Sequence, residues 1–227
     1  MQIGVLQCGH FPTADGFADR TYHDLYGALL SNRGFQLKTW SVVDMDFPES
    51  VSDADGWLIS GSRHGAYEDH AFIPPLETFV RESVAAKIPI VGICFGHQIM
   101  AQAFGGRVEK FAGGWSAGLV DYDFEGVTIP LNAWHQDQVV EKPEAARVLA
   151  STEFCQFAAL AYSDYAMSMQ PHPEFDAEAV RLLLETRAPG VLPEGHIRDA
   201  RDTLDRPAAQ SLAAAQIAEF FKEAAHG

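Results

Sequence analysis

Short apolar runs alternate with segments of helical periodicity through the first half of the chain. The strand-like runs cover residues 3–8, 35–43, 56–59 and 88–93, and the helical patterns cover residues 22–30, 72–86 and 95–104. Parallel strands need a crossover connection, which is usually a helix, so this alternation predicts a mostly parallel sheet with helices packed on it. Between Arg107 and Met169, short strand-like pieces separated by turn residues predict antiparallel additions. The predicted fold class is therefore α/β.

The last quarter of the chain returns to helical patterns. A helix is predicted over residues 176–186, where Asp176 is a favourable N-cap. A closing helix is predicted over residues 207–224, with proline at its start. The intervening segment 187–205 contains two prolines and two glycines and is predicted to be mostly loop. Because neither a repeat nor a linker is recognisable, we predict a single domain over residues 1–227.

Composition and charge exclude several classes of function. The formal net charge of −15 would repel nucleic-acid phosphates and anionic lipid, so neither partner is predicted. The three cysteines lack C-x-x-C spacing, which predicts neither a disulfide framework nor a metal site. The N-terminus lacks the features of a signal peptide, and no apolar run reaches the length of a membrane span. We predict a cytoplasmic protein without cofactor, since a phosphate-binding P-loop is also missing.

The segment IPIVGICFGHQIMAQAFGG is the most informative for chemistry. A buried strand leads directly into Cys94 and a helix follows at once, which is the arrangement of a nucleophile elbow. Gly92 and Gly96 leave room for the close backbone approach that such a turn needs. The helix N-terminus would favour a thiolate, and the amide of Phe95 would face an oxyanion. A small buried core residue is the alternative for any lone cysteine, but the flanking glycines favour a nucleophile.

A second segment, MSMQPHPEF, offers a base for that thiol. A strand-like run ends at Pro171, His172, Pro173 and Glu174, and the two prolines restrict the backbone on both sides of the histidine. In extended chain, residues two apart point the same way, so Glu174 can reach the ring of His172. A carboxylate on one ring nitrogen leaves the other to exchange a proton with sulfur. Without Cys94, a solvated surface turn would be the better interpretation.

These residues resemble the class I (triad) glutamine amidotransferase family, and within it the standalone group related to the amidotransferase domain of GMP synthase. The matching motifs are GICFGHQ at residues 92–98, QPHPEF at 170–175 and GWLISGSRHGAYED at 56–69. The order of cysteine followed about eighty residues later by His-x-Glu is also that of the family. The resemblance implies a Rossmann-like open sheet with helices on both faces.

The resemblance also implies roles for individual residues. Cys94 corresponds to the nucleophile that forms a γ-glutamyl thioester, His172 to the base and then the acid, and Glu174 to the group that orients it. The amides of Gly61 and Phe95 correspond to the oxyanion hole. Substrate contacts are implied for three further residues: Gln98, His135 and Asp137. The substrate is then glutamine or a γ-glutamyl compound, and ammonia or an amine is released.

One departure from the family pattern concerns a loop after the elbow helix. Many relatives carry Gly-Trp-Glu-x-Gly, whereas this chain has Ser116 at the acidic position of the run 114–118. If the acidic residue seats the substrate amino group, recognition of free glutamine changes; a drift of the loop without consequence is equally compatible. Glu68 and Asp69 are predicted to be solvated, on a loop that rims the site.

Four alternatives follow from the sequence. The chain could hydrolyse γ-glutamyl compounds alone, or deliver ammonia to a separate synthase subunit. It could also be a noncatalytic regulatory module on the same fold, although the intact cysteine, histidine and glutamate disfavour this. A chaperone or deglycase with a cysteine elbow shares the general topology, and the segment PHPE, residues 171–174, disfavours it. The oligomeric state stays open.

Overall fold

The computed structural model describes residues 1–225 and contains one large sheet. Its nine strands run in the order β2-β1-β3-β4-β11-β10-β9-β6-β7, and β5 and β8 form a separate pair. The strands are β1 (Gln2–Leu6), β2 (Gln36–Trp40), β3 (Gly56–Ile59), β4 (Ile90–Ile93), β5 (Arg107–Lys110), β6 (Ser116–Phe124), β7 (Val127–His135), β8 (Asp137–Glu141), β9 (Arg147–Ser151), β10 (Ala159–Ser163) and β11 (Ala166–Met169). The α-helices of the described residues are α1 (Tyr22–Leu29), α2 (Ile73–Ala85), α3 (Phe95–Ala103), α4 (Ala177–Thr186), α5 (Glu194–Asp202) and α6 (Gln210–Ala224), and short 3-10 helices cover Val42–Asp44 and Val51–Asp53.

The strands β2, β1, β3, β4 and β11 pair with one another in parallel. The remaining strands, β10, β9, β6 and β7, continue the sheet with antiparallel pairing. The predicted α/β fold with a parallel region and antiparallel additions is confirmed. Loops that follow parallel strands meet at one edge of the sheet, which is where ligands bind in open α/β folds.

Helices cover both faces of the sheet. Successive residues of β3 point to opposite faces, so Leu58 packs with α1, α4 and α6 while Trp57 and Ile59 pack with α2 and α3. The first apolar cluster contains Leu25, Val180 and Ile217, among others from those helices. Because β3 and β4 are buried on both faces, their sequences are continuously apolar rather than alternating.

The prediction that residues 187–205 form mostly loop was wrong, because α5 occupies Glu194–Asp202. This helix buries few side chains, Ile197 and Ala200 among them, and its exposed face is strongly charged. Pro193 lies at its N-cap and Gly195 in its first turn, where both residues are tolerated. Its packing on Gly118 of β6 is a tertiary contact that a local pattern does not reveal.

The closing helix also differs from the prediction at its start, since α6 begins at Gln210 rather than near Pro207. The apolar patterns elsewhere located the strands and helices to within a few residues. Among residues 1–225, no helix combines the length and the apolar character that crossing a bilayer requires.

Candidate active site

Cys94 occupies a strained turn between β4 and α3. Its φ of +54° and ψ of −101° lie in a region that residues with a side chain rarely adopt. The turn is held on both sides, because the Cys94 amide donates to the Met169 carbonyl at 2.9 Å and the Gln98 amide donates to the Cys94 carbonyl at 3.0 Å. Strain of this kind persists only where the surrounding structure enforces it, and it is concentrated at functional sites.

Two glycines beside the cysteine make this turn possible. A Cβ atom on Gly92 would lie 2.4 Å from the carbonyl oxygen of Gly96. A Cβ atom on Gly96 would lie 2.5 Å from the carbonyl oxygen of Ile59 in β3. Both obstacles are backbone atoms, which cannot rotate away. The glycines are therefore required by the close packing of β4, α3 and β3 around the turn.

His172 and Glu174 lie just after β11, the strand next to β4. The Nδ1 atom of His172 donates to Oε1 of Glu174 at 2.7 Å, and both side chains are buried. The Tyr26 hydroxyl, from α1, donates to the same carboxylate oxygen at 3.2 Å. The His172 ring also stacks on Phe175, with ring centroids 3.9 Å apart and planes 4° apart. These contacts fix the orientation of the imidazole.

The backbone around His172 is anchored to β7 through Asn132. The His172 amide donates to the Asn132 carbonyl at 2.8 Å, and the Asn132 side chain donates to the Phe175 carbonyl at 2.8 Å. Glu174 is thus placed by residues on α1 and β7 as well as by its own segment. These hydrogen bonds hold the His172 imidazole at the edge of the sheet where Cys94 also lies.

The environment of His172 keeps its ring protonated. Burial alone would lower the pKa of the imidazole, but the Glu174 carboxylate and the adjacent Cys94 side chain outweigh it and raise the pKa of His172 to about 10. The Oε2 atom of Glu174 has no hydrogen-bond partner among residues 1–225. The buried negative charge of Glu174 is therefore balanced mainly by the histidine.

Cys94 and His172 both line a pocket of about 360 Å³. Cys94 is only 5% exposed, yet it is one of the residues that line this cavity. Gly61 lies close to the histidine, since a Cβ atom there would sit 2.9 Å from His172 Cε1. Phe95 is the first residue of α3, so its amide has no partner within the helix. The residues predicted for the triad and the oxyanion hole are thus neighbours in space.

The predicted substrate residue Gln98 lines the pocket with its amide nitrogen already engaged. Its Nε2 atom donates to the Asp137 carbonyl at 2.9 Å and to Gln170 Oε1 at 3.1 Å. A carboxamide nitrogen has two hydrogens, so only the oxygen of Gln98 remains for a ligand. The side chain consequently ties α3 to β8 and β11 as well as facing the pocket.

His135 and Asp137 also line the pocket, and burial perturbs both. Burial and the nearby His172 lower the pKa of His135 to about 3, so its ring is neutral. The His135 Nδ1 atom contacts the Asp137 carbonyl at 3.2 Å, while Nε2 has no partner among residues 1–225. Burial raises the pKa of Asp137, although a hydrogen bond from Tyr67 opposes the shift.

Several pocket residues were not predicted from the sequence. The aromatic pair Trp115 and Trp134, with ring centroids 6.1 Å apart, lines one wall. Basic side chains at the pocket include Arg63, Lys110 and Arg187. They come from segments far apart in the chain, so no local motif joins them. Tyr67 lies within the motif at residues 56–69, and that motif was the one available signal for it.

The departure at Ser116 lies beside the predicted substrate residues. Ser116 begins β6 and pairs with His135 of β7 in the antiparallel register. Its neighbour Trp115 and its cross-strand partner His135 both line the pocket, so a side chain at position 116 lies beside the cavity. Within the described part of the chain, the carboxylates that line the pocket are those of Asp137 and Glu68.

Comparison with known proteins agrees with this geometry. Residues 21–182 match the family described as glutamine amidotransferase class-I. Gamma-glutamyl peptidase 4 of Arabidopsis thaliana is 30% identical over 80% of this chain and 78% of its own. One component of the glutamine-hydrolyzing GMP synthase of Methanopyrus kandleri is 34% identical over 56% of this chain and 71% of its own.

A solved structure has the same fold at much lower sequence identity. The crystal structure of a glutamine amidotransferase from Thermotoga maritima aligns with a TM-score of 0.78 and 16% identity, covering 100% of this chain and 98% of the other. The family match spans more than two thirds of the sequence and includes the segments of Cys94, His172 and Glu174. This chain belongs to the class-I glutamine amidotransferase family.

Proposed function

We propose that this protein hydrolyses γ-glutamyl amide bonds, with Cys94 as nucleophile, His172 as acid and base, and Glu174 as the residue that orients His172. Membership of the glutamine amidotransferase family makes the protein a cysteine-dependent amide hydrolase. The observation that carries the residue assignment is the meeting of Cys94 and His172 in one pocket, with His172 held at 2.7 Å by Glu174.

The first half of the proposed reaction forms a thioester. The Cys94 thiolate attacks the γ-carbonyl carbon, and the carbonyl π electrons move to oxygen, where the amides of Gly61 and Phe95 stabilise the charge. The tetrahedral intermediate then expels the amine as the C–N bond breaks. The imidazolium of His172 donates a proton to the departing nitrogen, which its raised pKa makes available at neutral pH.

The second half regenerates the enzyme. Neutral His172 removes a proton from water, and the hydroxide oxygen adds to the thioester carbonyl. Collapse of this intermediate breaks the C–S bond, releases glutamate and restores the thiolate beside a protonated imidazole. The same oxyanion hole stabilises the tetrahedral intermediate of each half-reaction, so one set of fixed donors lowers both barriers.

The pocket offers groups of both charges for the α-amino acid end of a substrate. Glu68 and Asp137 can accept from an ammonium, and Arg63 and Lys110 can bind a carboxylate. We assign Gln98, His135 and Asp137 to this role, since all three line the cavity that holds Cys94. The wall formed by Trp115 and Trp134 gives room for an apolar leaving amine.

Substitution of the nucleophile tests the proposal directly. Cys94→Ala removes the attacking atom, so release of glutamate from glutamine and from γ-glutamyl peptides should fall to background. A matched Cys155→Ala variant, which removes a buried thiol outside the pocket, should keep most of the activity in the folded protein. Unchanged turnover by Cys94→Ala would refute the assignment of Cys94 as the nucleophile.

We further propose that the enzyme acts without a synthase partner on γ-glutamyl peptides or conjugates. The similarity to the Arabidopsis peptidase covers 80% of this chain, against 56% and 72% for two GMP synthase components. A partner-dependent glutaminase should be nearly idle by itself, so steady turnover of a γ-glutamyl dipeptide by the purified chain is expected. Negligible turnover of every substrate in the panel, with Cys94 still reactive to iodoacetamide, would favour delivery of ammonia to a synthase.

A further inference from the structure

Three side chains of the kinds that bind transition metals meet on the loop after β3. His70 Nε2 lies 2.8 Å from Glu68 Oε2, and His64 Nδ1 lies 3.7 Å from the same oxygen. One ligand atom from each residue lies within 4.8 Å of those of the other two, and within residues 1–225 no second group of three meets this criterion. The cluster lies outside the proposed triad, although His64 and Glu68 line the mouth of the pocket.

The two imidazoles are held by an aromatic platform. Their ring centroids are 4.0 Å apart, and each lies 5.9 Å from the ring of the buried Phe72. Phe72 in turn packs on Phe95, the first residue of α3, with ring centroids 5.9 Å apart. The two rings therefore lie beside each other and beside a core residue of the protein.

Backbone hydrogen bonds fix the loop that carries the cluster. The Glu68 amide donates to the Gly65 carbonyl at 3.0 Å, and the His70 amide donates to the Glu68 carbonyl at 3.1 Å. The Ile73 amide at the start of α2 donates to the His70 carbonyl at 3.1 Å. With the backbone so constrained, gathering the three ligand atoms requires mainly side-chain rotation.

The overall charge of the protein suits the approach of a metal ion. Metal ligands must be deprotonated to bind, and the net charge of −15 favours the approach of a cation.

We propose that His64, Glu68 and His70 bind one divalent transition-metal ion of the Zn²⁺ class at the mouth of the pocket. Two imidazole nitrogens and one carboxylate oxygen form a common zinc ligand set, and a water or a ligand oxygen completes the tetrahedron. Ligand atoms in such a tetrahedron lie about 3.3 Å apart, so the 4.8 Å limit of the cluster leaves only a short contraction.

Zn²⁺ titration of the untagged Cys94→Ser protein tests the proposal, with calorimetry as the readout. The Cys94→Ser background removes the thiol that would otherwise compete for the ion, so the result does not depend on the proposed catalytic role. We expect one ion per chain. Because loss of an outer-shell partner alone costs about 10- to 100-fold in affinity, removal of a direct ligand in His70→Ala should weaken binding by about 100-fold or more.

Two further variants make the result decisive. Glu68→Gln keeps the shape of the side chain and should also weaken binding strongly, which covers the case in which His70→Ala perturbs the loop. His196→Ala removes an exposed histidine of α5, outside the cluster, and should leave the affinity unchanged. Absence of saturable binding in Cys94→Ser, or equal affinity in His70→Ala, Glu68→Gln and His196→Ala, would overturn the proposal.

Discussion

At the scale of single residues, His172 illustrates how position decides chemistry. Its ring would lose its proton readily if burial acted alone, and the neighbouring Glu174 reverses that tendency. The sequence predicted this pair because the two residues are separated by one position in an extended segment. It did not predict Tyr26, which contacts Glu174 from 148 residues away. Contacts over such separations leave no local pattern.

The Glu174→Gln variant should shift the alkaline limb of the pH profile. In the wild type, His172 carries its proton until the pH approaches about 10, so kcat/KM should fall as the pH rises through that value. Removing the carboxylate charge leaves burial dominant, which lowers the pKa of His172 and moves the loss of activity to lower pH. A profile measured between neutral and alkaline pH checks the direction, and an unmoved limb would show that Glu174 does not set this protonation.

At the scale of elements, the junction of β4 and α3 was predicted closely and the helix α5 was missed. The short, almost continuously apolar run of β4 identifies a strand buried on both faces, whatever its neighbours are. Helix α5 has a charged surface, and Ile197 and Ala200 are its buried residues. Its position depends on contacts with β6, so the local sequence carried too little apolar periodicity to reveal it.

Alanine at Gly96 should destabilise the β4–α3 junction. The new methyl group would meet the Ile59 carbonyl oxygen at 2.5 Å, and overpacking of this kind costs about 1–3 kcal/mol. Gly27 in α1 is the control, because a Cβ there meets no atom within 4 Å. Gly27→Ala should therefore stabilise the protein by about 0.5–1 kcal/mol. Denaturant unfolding of both variants measures the two effects, and equal signs would contradict the packing argument.

At the scale of the whole molecule, the family match stops short of both ends of the fold. It covers residues 21–182, whereas β1 and α6 lie outside it and share one apolar cluster.

The metal-ligating cluster also emerges only at this scale. The sequence predicted a solvated Glu68 and did not predict the cluster. The approach of His64 to His70 depends on the core residue Phe72, and this tertiary contact leaves no local pattern. Sequence alone predicted the layers of the fold and the three residues proposed as a triad, but not the walls of the pocket.

Phe221→Ala tests whether α6 unfolds together with the rest of the chain, as the prediction of one domain over residues 1–227 requires. The Phe221 ring is fully buried and packs beside Gly56 of β3 and against Phe35. Its removal should cost about 3–5 kcal/mol, and unfolding should stay a single transition at which hydrolysis is also lost. Leu212→Ala, on the exposed side of α6, should change stability by no more than about 0.5 kcal/mol. Two separate transitions in Phe221→Ala would contradict a single domain.

The place of β11 in the sheet has a consequence for the chain as the ribosome makes it. This strand comes late in the sequence, yet it inserts between β4 and β10 and carries His172 and Glu174 at its end. A nascent polypeptide has exposed Cys94 long before those residues leave the exit tunnel. On the proposed mechanism its sulfur then lacks a proton-transfer partner, so the growing chain should stay inert towards glutamine and γ-glutamyl metabolites until His172 and Glu174 have emerged.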